Sequence, residues 1–423
     1  MTAIAWLTAL LLIQTSFEQK LISWLKVPQQ TQYTCVNDSL YGKLIYPGEH
    51  SGMEHFYSRL DSMLTDGCNV NILHIGGSHV QAGDLSGQIR SNFSRLGETT
   101  ISDRGIIFPF KVLKSNGPYN YYVQYSGDWG KSRCVSKEPD VDLGLSGAAA
   151  IARDTLDSIS FDFRGDTRWA FNRLRVIGEA SSSQVYPIII SGSDTLNYIY
   201  KDEKNEGYIF DLGEEKTTFK LAFKGLDSAQ FVLRGILPMN DREGIVYTES
   251  GVNGAAVPSW LRCPKLEQDL SLLPPDLVVF GIGINDANVP VKDFDPEVFK
   301  SDYRTLIRRI QSVSPKCSFL FITNNDCYLS LRRKKKVHNP NTAKVQQAFM
   351  DLAKEYKGCV FDVYSLMGGL KSSDKWLKQG LMKKDHIHFT REGYQLLGDI
   401  LYNSIIDDYF SRVRSNNGYA ATF

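Results

Sequence analysis

The sequence predicts an α/β fold: a mostly parallel sheet covered by helices in three layers, with a β-sandwich or jelly-roll domain inserted into it. Two observations carry this expectation. Short, largely apolar runs alternate with helix-length amphipathic stretches near the start of the chain and again in its second half, as buried parallel strands and their crossover helices do. Between them, from about residue 105 to 240, the rhythm changes to short period-two alternations separated by Gly, Asp, Asn and Ser.

Taken in order, MEHFYSRLDSMLTDG sets Met53, Phe56, Leu60 and Met63 on one helical face, and Gly67 offers a stop. NILHIG is the first strand, and a helix is expected after it through Val80, Leu85, Ile89, Phe93 and Leu96. In the middle segment Ile159, Phe161 and Phe163 alternate with polar neighbours, as do Phe219, Leu221 and Phe223, then Phe231 and Leu233. The core resumes with IVY at 245–247 and LVVFGIG at 277–283. Phe299, Tyr303, Leu306 and Ile310 mark the next helix, and SFLFIT at 318–323 the next strand. A helix around Val345, Phe349, Leu352 and Tyr356 ends near Gly358 and leads into CVFDVY at 359–364. The last helix starts at Thr390, a capping residue, and turns Tyr394, Leu397, Leu401 and Ile405 inward. The expected organisation is an N-terminal signal or anchor over 1–30, two parts of the α/β domain over 31–104 and 241–415, and the β-rich insert over 105–240.

The 423 residues carry a formal net charge of +1, which gives no bulk electrostatic case for nucleic acid or an anionic membrane. The apolar run TAIAWLTALLLI at 2–13 falls short of the roughly 20 residues that span a bilayer. It has the length of a signal-peptide core, although no Lys or Arg precedes it. Export to a bacterial periplasm, cell surface or medium is expected, with peripheral or N-terminal membrane association as the other outcome. The seven cysteines are scattered without CxxC or zinc-finger spacing, and no metal or cofactor is expected. The basic run RRKKK at 332–336 reads as a solvated segment.

Acyl transfer needs a nucleophile, a base, an acid that orients the base, and donors for an oxyanion. Ser78, in IGGSHVQAG at the carboxyl end of the first strand, is the candidate nucleophile. In KKDHIHFTREGY, His388 is the candidate base and Asp385 its orienter, because a compact turn can present the carboxylate to one imidazole nitrogen while the other faces the serine. Asn285, in FGIGINDANVP, follows a central strand and can donate its amide without adding a charge. Gly254, in SGVNGA, and Ser78 itself offer backbone N–H groups. Each residue also has a plain structural reading: Ser78 as a helix cap, Asp385 and His388 as a surface ion pair, Asn285 in an Asx turn, Gly254 as relief of backbone strain. His74 sits in a buried run and His79 follows the serine, so both compete weakly for the role of base. His386 joins Asp385 and His388 as a conceivable trio of metal ligands.

In chain order the four blocks resemble those of the SGNH, or GDSL-like, hydrolase superfamily, over roughly 70–98 and 243–410. The resemblance implies Ser78 as nucleophile, His388 as base, Asp385 as acid, and Ser78, Gly254 and Asn285 as the oxyanion hole. A finer resemblance is to bacterial peptidoglycan or polysaccharide O-acetylesterases, which carry a β-rich insert. It implies a serine esterase that removes O-acetyl or another small acyl group from a cell-envelope or dietary polysaccharide, with the insert as a glycan-holding surface or, alternatively, a rigid lid or packing module. An O-acyltransferase with the same serine site, and a non-catalytic glycan-binding protein with a degenerate core, stand as alternatives. The chain departs from the family at Gly77, where an Asp commonly precedes the serine.

Overall fold

A computed structural model describes residues 25–416 except 31, 50, 98–100, 166 and 331–335. The apolar run at 2–13 and all but the last residue of the basic run at 332–336 lie outside the described residues.

Six parallel strands form the core sheet in the order Cys359–Phe361, Ser318–Ile322, Leu277–Gly281, Val70–Gly76, Gly244–Gly251 and Ile101–Asp103. Alternation along Val70–Gly76 sorts its side chains between two cores. Leu73 and Ile75 join the layer that holds Phe280, Tyr303 and Phe349, whereas Val70 and Ile72 join the layer of Phe93, Leu397 and Tyr402. Burial on both faces is why Leu277–Gly281 and Ser318–Ile322 read as nearly unbroken apolar runs.

The flanking helices begin and end for local reasons. Glu54–Asp66 buries Phe56, Tyr57, Leu60 and Met63 and stops at Gly67. Pro296–Val313 starts on Asp295, whose side chain accepts from Glu297 N, and buries Phe299, Tyr303, Leu306 and Ile310. Arg391–Asn416 starts on Thr390, whose Oγ1 accepts from Gly393 N at 3.2 Å, and buries Tyr394, Leu397, Leu401 and Ile405.

Two expectations need correction. The helix expected from Val80 to Leu96 is divided into Ser78–Gln81, Asp84–Phe93 and a 3-10 turn at Ser94–Leu96, because Gly83 adopts φ +72 in between. A Cβ at position 83 would lie 2.7 Å from Pro118 Cβ, so close approach as well as backbone angle calls for glycine there. The strand expected over CVFDVY ends at Phe361, since the Asp362 side chain accepts from Ser365 N and starts the helix Val363–Met367.

Between Asp103 and Gly244 the chain forms a six-stranded and a five-stranded antiparallel sheet. The first contains Phe171–Ala180 and Phe231–Met239; the second contains Ser158–Asp162 and Thr218–Lys224. An aromatic layer joins them: Phe171 meets Phe219 edge-on at 5.6 Å between ring centroids, and Phe223 lies 4.9 Å from Phe231. The alternating residues singled out from the sequence, Ile159, Phe161, Phe163, Phe219, Leu221, Phe223, Phe231 and Leu233, are all buried. An antiparallel bridge between Ile107 and Ile236 ties the insert back to the chain leaving the core. All seven cysteines are free thiols, and among the described residues no helix is long and apolar enough to cross a membrane.

Candidate active site

Three central strands end level with one another: Gly76 is in register with Gly251 on one side and Gly281 on the other. The turns that leave them therefore bring Ser78, Gly254 and Asn285 to one edge of the sheet, the place where parallel sheets hold ligands.

His388 reaches the same edge from the loop before the last helix. Its Nε2 lies 2.8 Å from Ser78 Oγ, and its Nδ1 lies 2.8 Å from Asp385 Oδ2. The other oxygen of Asp385 accepts the N–H groups of Ile387 and His388, each at 2.9 Å. That tight turn needs His386 at φ +58, and it is closed by Lys383 N donating to His388 O at 2.8 Å. Asn325 Nδ2 supports it from below by donating to Ile387 O at 3.1 Å. Partial burial raises the Asp385 carboxyl, but hydrogen bonds from the His388 ring and the two backbone N–H groups outweigh it and hold the carboxyl below its usual range. An ionised carboxylate only accepts, so Nδ1 of His388 carries the proton and Nε2 is left to accept from Ser78.

The conceivable metal trio does not converge. His386 turns its Nδ1 to within 3.4 Å of Asp374 Oδ1 and packs its ring 4.2 Å from that of Tyr328. Among the described residues no group of three or more His, Cys, Asp or Glu side chains is placed to hold a metal ion.

Asn285 and Gly254 meet beside the serine. Asn285 Nδ2 donates to Ala255 O at 2.9 Å, which fixes the amide and leaves its second proton available. Gly254 is exposed at φ +82, and neither its N–H nor that of Ser78 has a hydrogen-bond partner among the described residues. A Cβ on Gly254 would meet nothing nearer than Val135 Cγ1 at 4.0 Å, so glycine serves the backbone angle and not the space. A Cβ on Gly77 would lie 3.2 Å from Asn285 Nδ2 and 3.4 Å from Ala255 O. Position 77 thus abuts the Asn285 amide, the donor of the bond to Ala255 O.

Several residues that hold this edge together were not singled out from the sequence. Gln81 is buried; its Oε1 accepts Asn253 N at 2.6 Å, and its Nε2 donates to Ser115 Oγ at 2.8 Å and Asn116 O at 2.5 Å. Asn253 Nδ2 donates to Asn116 Oδ1 at 2.6 Å. These bonds lock the serine helix, the glycine turn and the start of the insert to one another. The available signal was that Gln81 and Asn253 are polar residues inside the quoted blocks. Asp286, next to Asn285, accepts Val257 N at 3.0 Å and so anchors the helix after the glycine turn; burial pushes its carboxyl up to about 7.

His74 and His79 are excluded as the base by their surroundings. Burial holds His74 down to about 3, and burial reinforced by the nearby His388 holds His79 there too. Their Nδ1 atoms pair with Tyr247 Oη at 3.0 Å and Tyr394 Oη at 2.8 Å. By NMR, the imidazole signals of both are expected to stay in the neutral form from about pH 5 to 9, and titration of either near its ordinary value of about 6.5 would contradict this burial. The unfolded chain binds these protons first, so both residues subtract stability as the pH falls below about 6.5, increasingly until near 3.

A parallel sheet with a hydrogen-bonded Ser–His–Asp chain at its carboxyl edge defines the class of α/β proteins with a serine-hydrolase arrangement. Residues 229–396 match the model of the GDSL-like lipase/acylhydrolase family. A solved structure of a peptidoglycan O-acetylesterase superposes with a TM-score of 0.69 at 21% identity, over 88% of this chain and 99% of that one, which establishes a shared fold. An acetyl xylan esterase, AlAXEase, at 17% identity covers 38% of this chain and 81% of its own with a TM-score of 0.30. A lipase/acylhydrolase from Enterococcus faecalis, at 22% identity, covers 39% and 77% with the same TM-score of 0.30. No curated protein matches the chain. The family match and the fold together support the SGNH/GDSL-like hydrolase superfamily.

Proposed function

We propose that this chain is a serine esterase of the SGNH type that removes O-acetyl or another small acyl group from a cell-envelope or dietary polysaccharide. The observation that carries the reading is the continuous chain from Ser78 Oγ through His388 to Asp385, with both links at 2.8 Å. In this mechanism His388 Nε2 takes the Ser78 proton as Oγ attacks the ester carbonyl. Asp385 keeps the imidazole in the right tautomer and stabilises its protonated form. The oxyanion faces the N–H groups of Ser78 and Gly254 and the free amide proton of Asn285. His388 then gives its proton to the leaving sugar oxygen, which departs as the free hydroxyl, and activates a water that releases the acid. The formed triad favours turnover over a binding-only role, despite Gly77.

The acylated-glycan assignment draws support from the peptidoglycan O-acetylesterase, whose fold covers both the core and most of the inserted sheets. The insert, over about 105–240 in the sequence, exposes the side chain of Tyr125, an aromatic suited to a sugar ring, whereas the ring of Tyr122 is covered by Lys111 Nζ at 4.6 Å. A glycan of the envelope also fits export directed by residues 1–30. Acetate release from O-acetylated peptidoglycan and xylan by the wild-type protein, compared with Ser78→Ala, tests the reading. Release by neither protein, or equally by both, overturns it. Following the acyl group to water or to an added glycan separates hydrolysis from acyl transfer. Asn285→Ala, which removes one oxyanion donor, is expected to lower kcat by about 10²–10³ with little change in KM. A loss below tenfold would remove Asn285 from the oxyanion hole.

A further inference from the structure

The catalytic imidazole is held in its own plane by two bonds and needs something more to hold it there. Nε2 meets Ser78 and Nδ1 meets Asp385, each at 2.8 Å, which pins the His388 ring at two atoms and leaves it free to rock about the line between them. A flat neighbour against one face stops that rocking. His79 is placed to be that neighbour: its ring centroid lies 5.2 Å from that of His388 with the planes tilted by 32°, within the range of offset aromatic contacts. Burial, and then nearness to His388, hold His79 down to about 3, so the face it offers is uncharged. An uncharged ring does not oppose the imidazolium that forms on His388 during turnover.

His79 is in turn fixed from the last helix. Its Nδ1 pairs with Tyr394 Oη at 2.8 Å, and its ring meets those of Tyr394 and Phe389 edge-on at 5.6 and 6.0 Å. Tyr394 and Phe389 lie 5.4 Å apart, and Phe389 leans on the fully buried Trp376 at 5.5 Å. Packing alone does not set the rotation of the His79 ring. The residue borders a cavity of about 40 Å³, together with Ile284, Asn324 and Leu397, and its Nε2 is buried without a hydrogen-bond partner among the described residues. A ring that borders a cavity lacks close contacts on that side, so the bond from Nδ1 to the Tyr394 hydroxyl is what holds its orientation.

We propose that His79, oriented by Tyr394, is a positioning residue for His388, keeping its imidazole in the plane where Nε2 meets Ser78 and Nδ1 meets Asp385. It touches no reacting atom and passes no proton. Its effect on rate rests on the esterase reading, whereas its effect on the His388 ring does not, so two measurements are made on the full chain. One is kcat and KM for ester hydrolysis; the other is nitrogen NMR of the His388 ring at a pH where it is neutral, which reports which nitrogen carries the proton. His79→Ala is expected to lower kcat by about 10²-fold with KM little changed, and to turn the single Nδ1–H form of His388 into a mixture of tautomers. His79→Phe keeps a flat ring and is expected to regain most of both, which a proton-transferring His79 would not allow. Tyr394→Phe removes one hydroxyl and is expected to shift both readings in the same direction by less. In folded His79→Ala, an unchanged His388 ring or a kcat within about threefold of wild type overturns the proposal, as does a folded His79→Phe no better than His79→Ala. If melting shows that His79→Ala does not fold, Tyr394→Phe decides, and its equality with wild type in either reading overturns the proposal. If wild type hydrolyses no ester, the esterase reading fails and the NMR comparison alone decides this one.

Discussion

Ser78→Ala is expected to lower kcat by roughly 10⁶-fold, leaving a residual rate still above that of water. The size follows from the geometry: Ser78, His388 and Asp385 act as one unit, so loss of the attacking oxygen makes the other two idle. His388→Ala is therefore expected to cost about as much, and the double variant no more than either single one. The residual rate would come from the oxyanion edge, which both variants keep. The fold is expected to survive, since His388 is about one-third exposed and water can replace the hydroxyl it loses. Steady-state kinetics on an acetylated glycan, alongside melting of each variant, checks this. If the effects of Ser78→Ala and His388→Ala multiply in the double variant, the two residues act separately and the triad reading is wrong.

What the sequence made legible depends on how far each feature reaches along the chain. The central strands were readable because burial on both faces leaves seven- or five-residue runs such as Val70–Gly76 and Leu277–Gly281 with little polarity. The sheet partners of the insert were readable only as alternation; which strand pairs with which is set by contacts such as Phe171 on Phe219 that no local period encodes. The break at Gly83 was hidden because Val80, Leu85 and Ile89 keep an apparent helical period across it. It takes Pro118, a residue of the insert, to explain why the backbone must turn there. Ser78 and His388 were nameable 310 residues apart because catalytic chemistry restricts residue types tightly. Gln81 and Asn253, 172 apart, were not, because a buried amide that braces a turn looks like any polar residue until its partner is known. His79, a weak competitor for the base from sequence, is excluded by something the sequence does not carry, its burial.

Asp385→Asn is expected to lower kcat by about 10⁴-fold at neutral pH while changing stability little. The amide keeps an oxygen that can accept the N–H groups of Ile387 and His388, so the turn persists. Its NH₂ group then faces His388 Nδ1 and can only donate. Nδ1 must become the acceptor, the proton moves to Nε2, and Nε2 offers Ser78 a hydrogen where it should offer a lone pair. The developing imidazolium also loses its counter-charge. The two consequences separate by pH. The folded Asp385 carboxyl lies below its unfolded value, so its contribution to folding is fully present above the ordinary carboxylate range and is lost as the pH falls from that range through the lowered folded value. Wild type and Asp385→Asn should therefore converge in Tm at acidic pH and differ modestly at neutral pH, while their rates differ by orders of magnitude at neutral pH. Matched melting and rate profiles across pH check both halves. A variant that loses less than tenfold in kcat while its Tm falls sharply would make Asp385 a structural turn residue and leave His388 without an orienting acid.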